Sequence, residues 1–170
     1  MSTTVTLRPR VPMPHYTCIP HVVALGICDV RPDLRIWWPH GICDETNRLC
    51  LEIGAHAGYD EDGTFCTVSL EGPLAVADEM VESISRRVGA WEEAVRTQPR
   101  QAPLTSVLAD YANALAPLGE RICVCYPNGS IAFTGTFVGI DVWGRATVRP
   151  EGEEDVEFGP ERYRLLPLSR

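Results

Sequence analysis

The chain has 170 residues, 45% of them hydrophobic and 22% charged, a balance that suits a packed globular domain and not a disordered segment. Its formal charge is -8, and all 15 basic residues are arginine, because lysine is absent. That excludes a nucleic-acid binder working through clustered basic charge, and any chemistry that needs a lysine amine. No apolar run approaches the roughly 20 residues of a membrane span, and "MSTTVTLRPRVPMPHY" lacks the apolar core of a signal peptide. The 7 cysteines are an odd number, which does not suit a disulfide scaffold. A cytoplasmic protein with reduced thiols is expected, with neither a membrane nor a nucleic acid as partner.

From Thr3 to Pro20 the chain reads as an edge strand and an irregular lead-in, since prolines interrupt two β-type runs. His21 to Val30 reads as a short apolar helix, stopped at Arg31-Pro32 because the residue before proline is pushed out of helical geometry. Leu34 to Trp38 reads as a strand, and Arg48 to Ala55 and Thr64 to Leu70 as two more, joined by the turn "GYDEDG". Between Leu74 and Arg96 the period changes: Ala77, Met80, Val81, Ile84, Val88, Trp91 and Val95 form one apolar helical face. Arg86 and Arg87 lie outside that stripe and read as surface. After the breaker "TQPRQAP", Leu104 to Ala116 reads as a second helix, closed by Pro117 and Gly119. Beyond Gly119 short β runs alternate with turn signals, Asn128-Gly129 the strongest of them. Five short strands there suggest a small SH3-like barrel. The expected organisation is an α/β domain over residues 1–118 and an SH3-like domain over residues 119–170.

The chemistry-bearing stretch is "RIWWPHGICDETNRL", Arg35 to Leu49. Neighbouring strand residues point to opposite faces, so one of Trp37 and Trp38 belongs to the core and the other is free to stack on a flat ligand. His40-x-x-Cys43 is a weak zinc signal without a Cys-x-x-Cys pair, and Cys123-x-Cys125 is equally explained by one buried strand face. No metal site is expected. The acidic runs "DEDG" and "EGEED" read as solvated hairpin tips.

The succession of elements, with "GERICVCYPNGSIAFTGTFVGIDVWGRATVRPEGEEDVEFGPERYRLLPL", resembles the second half of the catalytic domain and the C-terminal domain of biotin protein ligases. Gly135, Gly139, Ile140, Asp141 and Gly144 match the C-terminal pattern. "HVVALGICDV" and "DLRIWWP" resemble the family's helix and its Lys-Trp-Pro-Asn-Asp strand. The resemblance implies an α+β fold, with a mixed or antiparallel sheet and helices as in biotin and lipoate protein ligases, followed by the SH3-like barrel. It also implies where chemistry has been lost. The lysine, asparagine and aspartate of the family strand are replaced at Trp37, His40 and Gly41. The family's second lysine corresponds to Arg48, a planar fork in place of a compact charge and the one weak catalytic candidate. The glycine-rich strand that lets ATP approach corresponds to Thr67–Glu71, so the carboxylate of Glu71 would face the phosphates. The family's glycine- and arginine-rich loop is not found in these residues and would lie upstream.

Three functions are compatible with these residues. The first is a biotin-ligase-like pseudoenzyme, without ligase activity on its own, that binds a small ligand or a protein; Trp37, Trp38, His40, Arg48 and Glu71 are its candidate ligand contacts. It needs no cofactor. The second is the C-terminal half of a split biotin or lipoate ligase, with biotin and ATP bound only when a partner chain supplies the missing loop and with Arg48 as electrostatic stabiliser. The third, compatible with the first, is a homodimer formed through an open sheet edge near Thr3 to Thr17.

Overall fold

The computed structural model describes residues 2–168 as two sheets and three α-helices sharing one hydrophobic core. The first sheet has six strands in the order β1 (Ser2–Leu7), β5 (Gly63–Glu71), β4 (Leu49–Asp60), β3 (Gly41–Cys43), β2 (Arg35–Trp37) and β6 (Leu115–Ala116). All neighbours are antiparallel except β2 and β6, so the sheet is mixed. The second sheet is antiparallel, in the order β10 (Val156–Phe158), β9 (Ala146–Pro150), β8 (Ile131–Ile140), β7 (Arg121–Cys125) and β11 (Arg164–Pro167). The expected five C-terminal strands are all present. Among the described residues no ladder joins β10 to β11.

Alternation along the strands explains which side of the first sheet is covered. Val5 and Leu7 of β1, Leu51 and Ile53 of β4, and Cys66, Val68 and Leu70 of β5 are buried on one face. Helix α1 (Ile19–Val30) and helix α2 (Asp78–Thr97) belong to the same core. The intervening residues, among them Thr4, Thr6, Glu52, His56, Thr67, Ser69 and Glu71, lie on the other face and stay exposed or half-buried. In α2 the stripe Met80, Ile84, Val88, Trp91 and Val95 is buried as expected. Ala77 instead caps the helix from outside and is exposed. Trp91 Nε1 donates to Pro103 O at 2.6 Å, tying the helix to the proline-rich breaker that follows it.

Three sequence expectations need correction. A strand, β3, lies between β2 and β4, where none was expected. It is closed by a tight turn in which Asp44 Oδ1 accepts from Thr46 N at 2.9 Å and Arg48 N at 3.0 Å, with Asn47 at φ 62°. The helix expected over Leu104–Ala116 is α3 (Leu108–Ala114), because Leu115 and Ala116 leave it to pair with Ile36 and Trp37. Arg87 is not a plain surface residue. Its guanidinium bridges Asp29 of α1 at 2.7 Å and Asp110 of α3 at 2.8 Å, a fork geometry that lysine would not reproduce. Among the described residues no helix is long and apolar enough to cross a membrane.

The contact between α1 and α2 rests on Gly26. A Cβ built there would lie 2.7 Å from Ile84 Cα, a backbone atom that cannot swing aside. Gly26→Ala is therefore expected to destabilise the protein by about 1–2 kcal/mol. Overpacking costs about 1–3 kcal/mol, which outweighs the ~1 kcal/mol that alanine gains in helix preference. Gly89, exposed on α2 with nothing within 4 Å of its Cβ position, should behave oppositely, Gly89→Ala gaining about 0.5–1 kcal/mol. Urea unfolding of the two variants checks the sign of each effect.

Candidate functional site

The corner between β2 and β3 carries Trp37, Trp38, Pro39 and His40, with a cis peptide bond between Trp38 and Pro39. The two tryptophans part company as strand alternation requires. Trp38 is fully buried, its ring edge-on to Phe158 at 5.6 Å, and its Nε1 donates to Gly144 O at 2.9 Å. Trp37 is half-buried, and its Nε1 donates to Leu165 O in β11 at 2.9 Å. Both indoles thus reach from the first sheet to backbone of the second. A buried indole N–H left unpaired would cost about 1–3 kcal/mol, so these bonds fix how the sheets meet.

Gly144 occupies the turn between β8 and β9. Asp141 builds that turn: its Oδ1 accepts from Trp143 N and Arg145 N, both at 2.9 Å, and its Oδ2 from Arg145 Nε at 2.7 Å. Gly144 has φ 82°, and a Cβ there would fall 2.6 Å from His21 Nε2, so both conformation and space demand glycine. His21 lies beneath the turn with 2% of its surface exposed. Its ring meets His40 edge-on at 5.4 Å and Tyr111 at 5.3 Å. Among the described residues neither ring nitrogen of His21 makes a hydrogen bond of good geometry, the Gly144 backbone being a close polar neighbour, and His40 Nε2 has no partner. Burial, reinforced by His40, pushes the His21 imidazole down to about 3, against a small opposing effect of the Gly144 backbone and Asp141. Burial and then the charge of Arg164 push His40 down to about 4. Both rings are neutral at pH 7.

Where β2 and β3 face β11 the two sheets leave a cleft of about 500 Å³. Its first wall is Trp37 to Gly41 with Cys43, Asn47, Leu49 and Glu52; its second is Pro160, Glu161 and Arg164 to Pro167. The lining is largely apolar, with few polar groups, as small-molecule sites commonly are. Of the residues singled out from sequence, Trp37, Trp38 and His40 come together here. Arg48 and Glu71 are not among the lining residues. Arg48 is exposed in the turn before β4, and Glu71 ends β5 on the open sheet face, opposite Glu52 in register. Glu52, Glu161 and Arg164 line the cleft and were not singled out. Glu52 carries a sequence signal, a lone carboxylate inside "LCLEIGA"; the other two come from a segment distant in sequence and gave none. All seven cysteines are free, five of them buried. Among the described residues no three His, Cys, Asp or Glu side chains gather as metal ligands would.

In three dimensions the chain is similar to biotin protein ligase from Aquifex aeolicus, with a TM-score of 0.67 and 12% identity over 98% of this chain and 82% of that one. The structure of that enzyme in complex with biotin and ATP matches with a TM-score of 0.64 and 11% identity, over 98% of this chain and 78% of the other. Biotin acetyl coenzyme A carboxylase synthetase from Helicobacter pylori, solved with bound biotinylated ATP, matches with a TM-score of 0.50 and 8% identity, over 92% and 74%. The fold is therefore that of the biotin protein ligases, α+β with a second β unit. The match takes in 82% of the Aquifex chain, a wider likeness than the second half on which the sequence resemblance rests. No family model matches the sequence, and neither does any curated protein.

The buried imidazoles make stability pH-dependent in a defined direction. In the unfolded chain each histidine takes a proton near pH 6.5, while in the fold His21 and His40 resist protonation until about 3 and about 4. The unfolded state therefore binds more protons through this window, and stability falls with acidification, by up to about 1.4 kcal/mol per pH unit for each ring. The urea midpoint should drop steeply from pH 6.5 to 4.5, before most carboxylates titrate, and His21→Leu should remove about half of that slope. An unchanged slope in the variant would show that His21 is not the group responsible.

Proposed function

We propose that this protein uses the biotin-ligase fold to bind a small flat ligand in the cleft at Trp37, and does not make an acyl-adenylate by itself. The observation that carries the reading is the half-buried indole of Trp37. Its N–H is already committed to Leu165 O, so the indole's π system is what it has left to offer a ligand in the cleft of about 500 Å³ that it lines. His40 forms part of the lining as a neutral imidazole, and Trp38 supports the floor from the core.

The non-catalytic part of this reading is supported by what these residues lack. The structures of similar proteins hold biotin with ATP, or biotinylated ATP, both of which bear phosphate charge. This chain has no lysine. Arg48, the residue that the resemblance puts in a lysine's place, is exposed in a turn and does not line the cleft. Glu52 and Glu71 face each other across β4 and β5, where like charges already repel. A polyphosphate brought against that pair would meet like charge, with Arg164 the one cation in the cleft lining to balance it.

With biotin or lipoate, magnesium and ATP, the purified protein should give no ATP–pyrophosphate exchange above the protein-free control; clear exchange would sink the non-catalytic part of the reading. For binding, ligand-observed NMR with small bicyclic heteroaromatics should find weak binders that compete for one site. Trp37→Ala should weaken them at least tenfold, while Trp37→Phe, which keeps a ring face but loses the N–H, should stay within about threefold. Equal binding by wild type and Trp37→Ala would move the site elsewhere.

A further inference from the structure

We infer that the cleft selects a flat aromatic cation over a neutral or anionic ring of the same shape. This rests on the reading of the cleft as a ligand site and adds the charge of its occupant.

Three charged side chains line the cleft: Glu52 from β4, Glu161 from the turn before β11, and Arg164 from β11 itself. The two carboxylates therefore come from the two walls, Glu52 from the first sheet and Glu161 from the turn between β10 and β11. Among the described residues none of the three takes part in an ion pair, so their charges are not neutralised within the fold. His40 adds no positive charge at neutral pH, since burial holds its imidazole at about 4. The lining is thus negative by one charge. Just outside the lining, Glu71 opposite Glu52 and Arg48 between Asn47 and Leu49 carry opposite charges, so the sign of the lining is set by its own three groups. The long-range field has the same sign, because the whole chain carries -8.

The aromatic wall points to the same ligand. The face of an indole is the negative end of its quadrupole and attracts a cation lying over it, tryptophan more strongly than any other side chain. Trp37 lines the cleft with its N–H already committed to Leu165 O on the other wall, so its π system is what remains for a ligand. A planar ring with a fixed positive charge satisfies both features at once: its face stacks on Trp37 and its charge lies in the field of Glu52 and Glu161. An anionic ring satisfies the first and opposes the second. Arg164 acts against the cation and limits the preference without reversing it.

The test uses three probes that share the quinoline ring at pH 7.5: 1-methylquinolinium (cation), quinoline (neutral) and quinoline-2-carboxylate (anion), titrated into the full chain and followed by NMR. The cation is expected to bind at least tenfold more tightly than quinoline, and the anion least tightly. Raising the salt from 0.05 to 1 M, values on either side of physiological screening, should shrink the cation's advantage. Glu52→Gln with Glu161→Gln should bring cation and quinoline within about threefold of each other. Glu82→Gln, exposed on α2 and away from the cleft, should leave the order of the probes as it is. If the anion binds as tightly as the cation, or if the double variant keeps the full preference, the inference is overturned while the cleft stands as a ligand site. If none of the three probes binds, the cleft reading falls and the inference falls with it.

Discussion

Trp38 is a large apolar ring with one polar edge, and its burial depends on that edge finding a partner. Gly144 O provides it at 2.9 Å, on a turn that can come so close only because Gly144 has no side chain to strike His21. The rest of the seam follows. With Trp38 seated, Phe158 of the second sheet packs on its ring, and Trp37, one residue earlier, is aimed at β11. The cleft is what remains between two surfaces held apart by these anchors. Its walls belong to different sheets but to one hydrophobic core, so it is a preformed feature and not a gap between loosely tethered units.

The seam is also where the protein carries its least comfortable polar groups. His21 and His40 face each other in a space too apolar to charge them, with three ring nitrogens lacking a well-formed hydrogen bond among the described residues. Buried polar groups usually find partners because each one left over costs free energy. His40 gives the cleft a neutral imidazole at physiological pH, so that the charged groups in its lining are Glu52, Glu161 and Arg164. The all-arginine composition is consistent with this division of labour. Arg87 and Arg145 are used as forks that brace carboxylates in the scaffold, Asp29 with Asp110 and Asp141 respectively, and are not available as mobile charges.

One turn is used twice. "DETNR" after β3 and "DVWGR" after β8 share the same device: the first Asp accepts from the backbone of the third and fifth residues, its own N–H donates to the fifth carbonyl, and the fourth residue has positive φ. In the first copy the fourth residue is Asn47 and in the second Gly144. Asparagine tolerates positive φ, but only glycine also fits against a neighbouring ring. The Asp-x-x-Asn pattern was the available clue to β3, a strand of three residues too short for periodicity to reveal.

By itself the sequence determined the local elements and the broad class. Apolar spacing at three and four marked α2, alternation marked β4 and β5, and glycine-centred turns marked the C-terminal strands, because each signal lies within a few residues. It also established that one of the adjacent tryptophans had to be core, and that lysine chemistry was out of reach. Tertiary structure decided what depends on partners distant in the chain. Leu115 and Ala116 became a strand because β2 offered an open edge, overriding the helical pattern around them. Trp38 and not Trp37 became core because Gly144, more than a hundred positions away, could receive its N–H. Glu161 and Arg164 joined Trp37 in one cleft because β11 folds back beside β7, and Arg48 and Glu71 stayed outside it. A side chain's type is written in the sequence; the charge, ring or carbonyl it meets is settled only when distant strands pair.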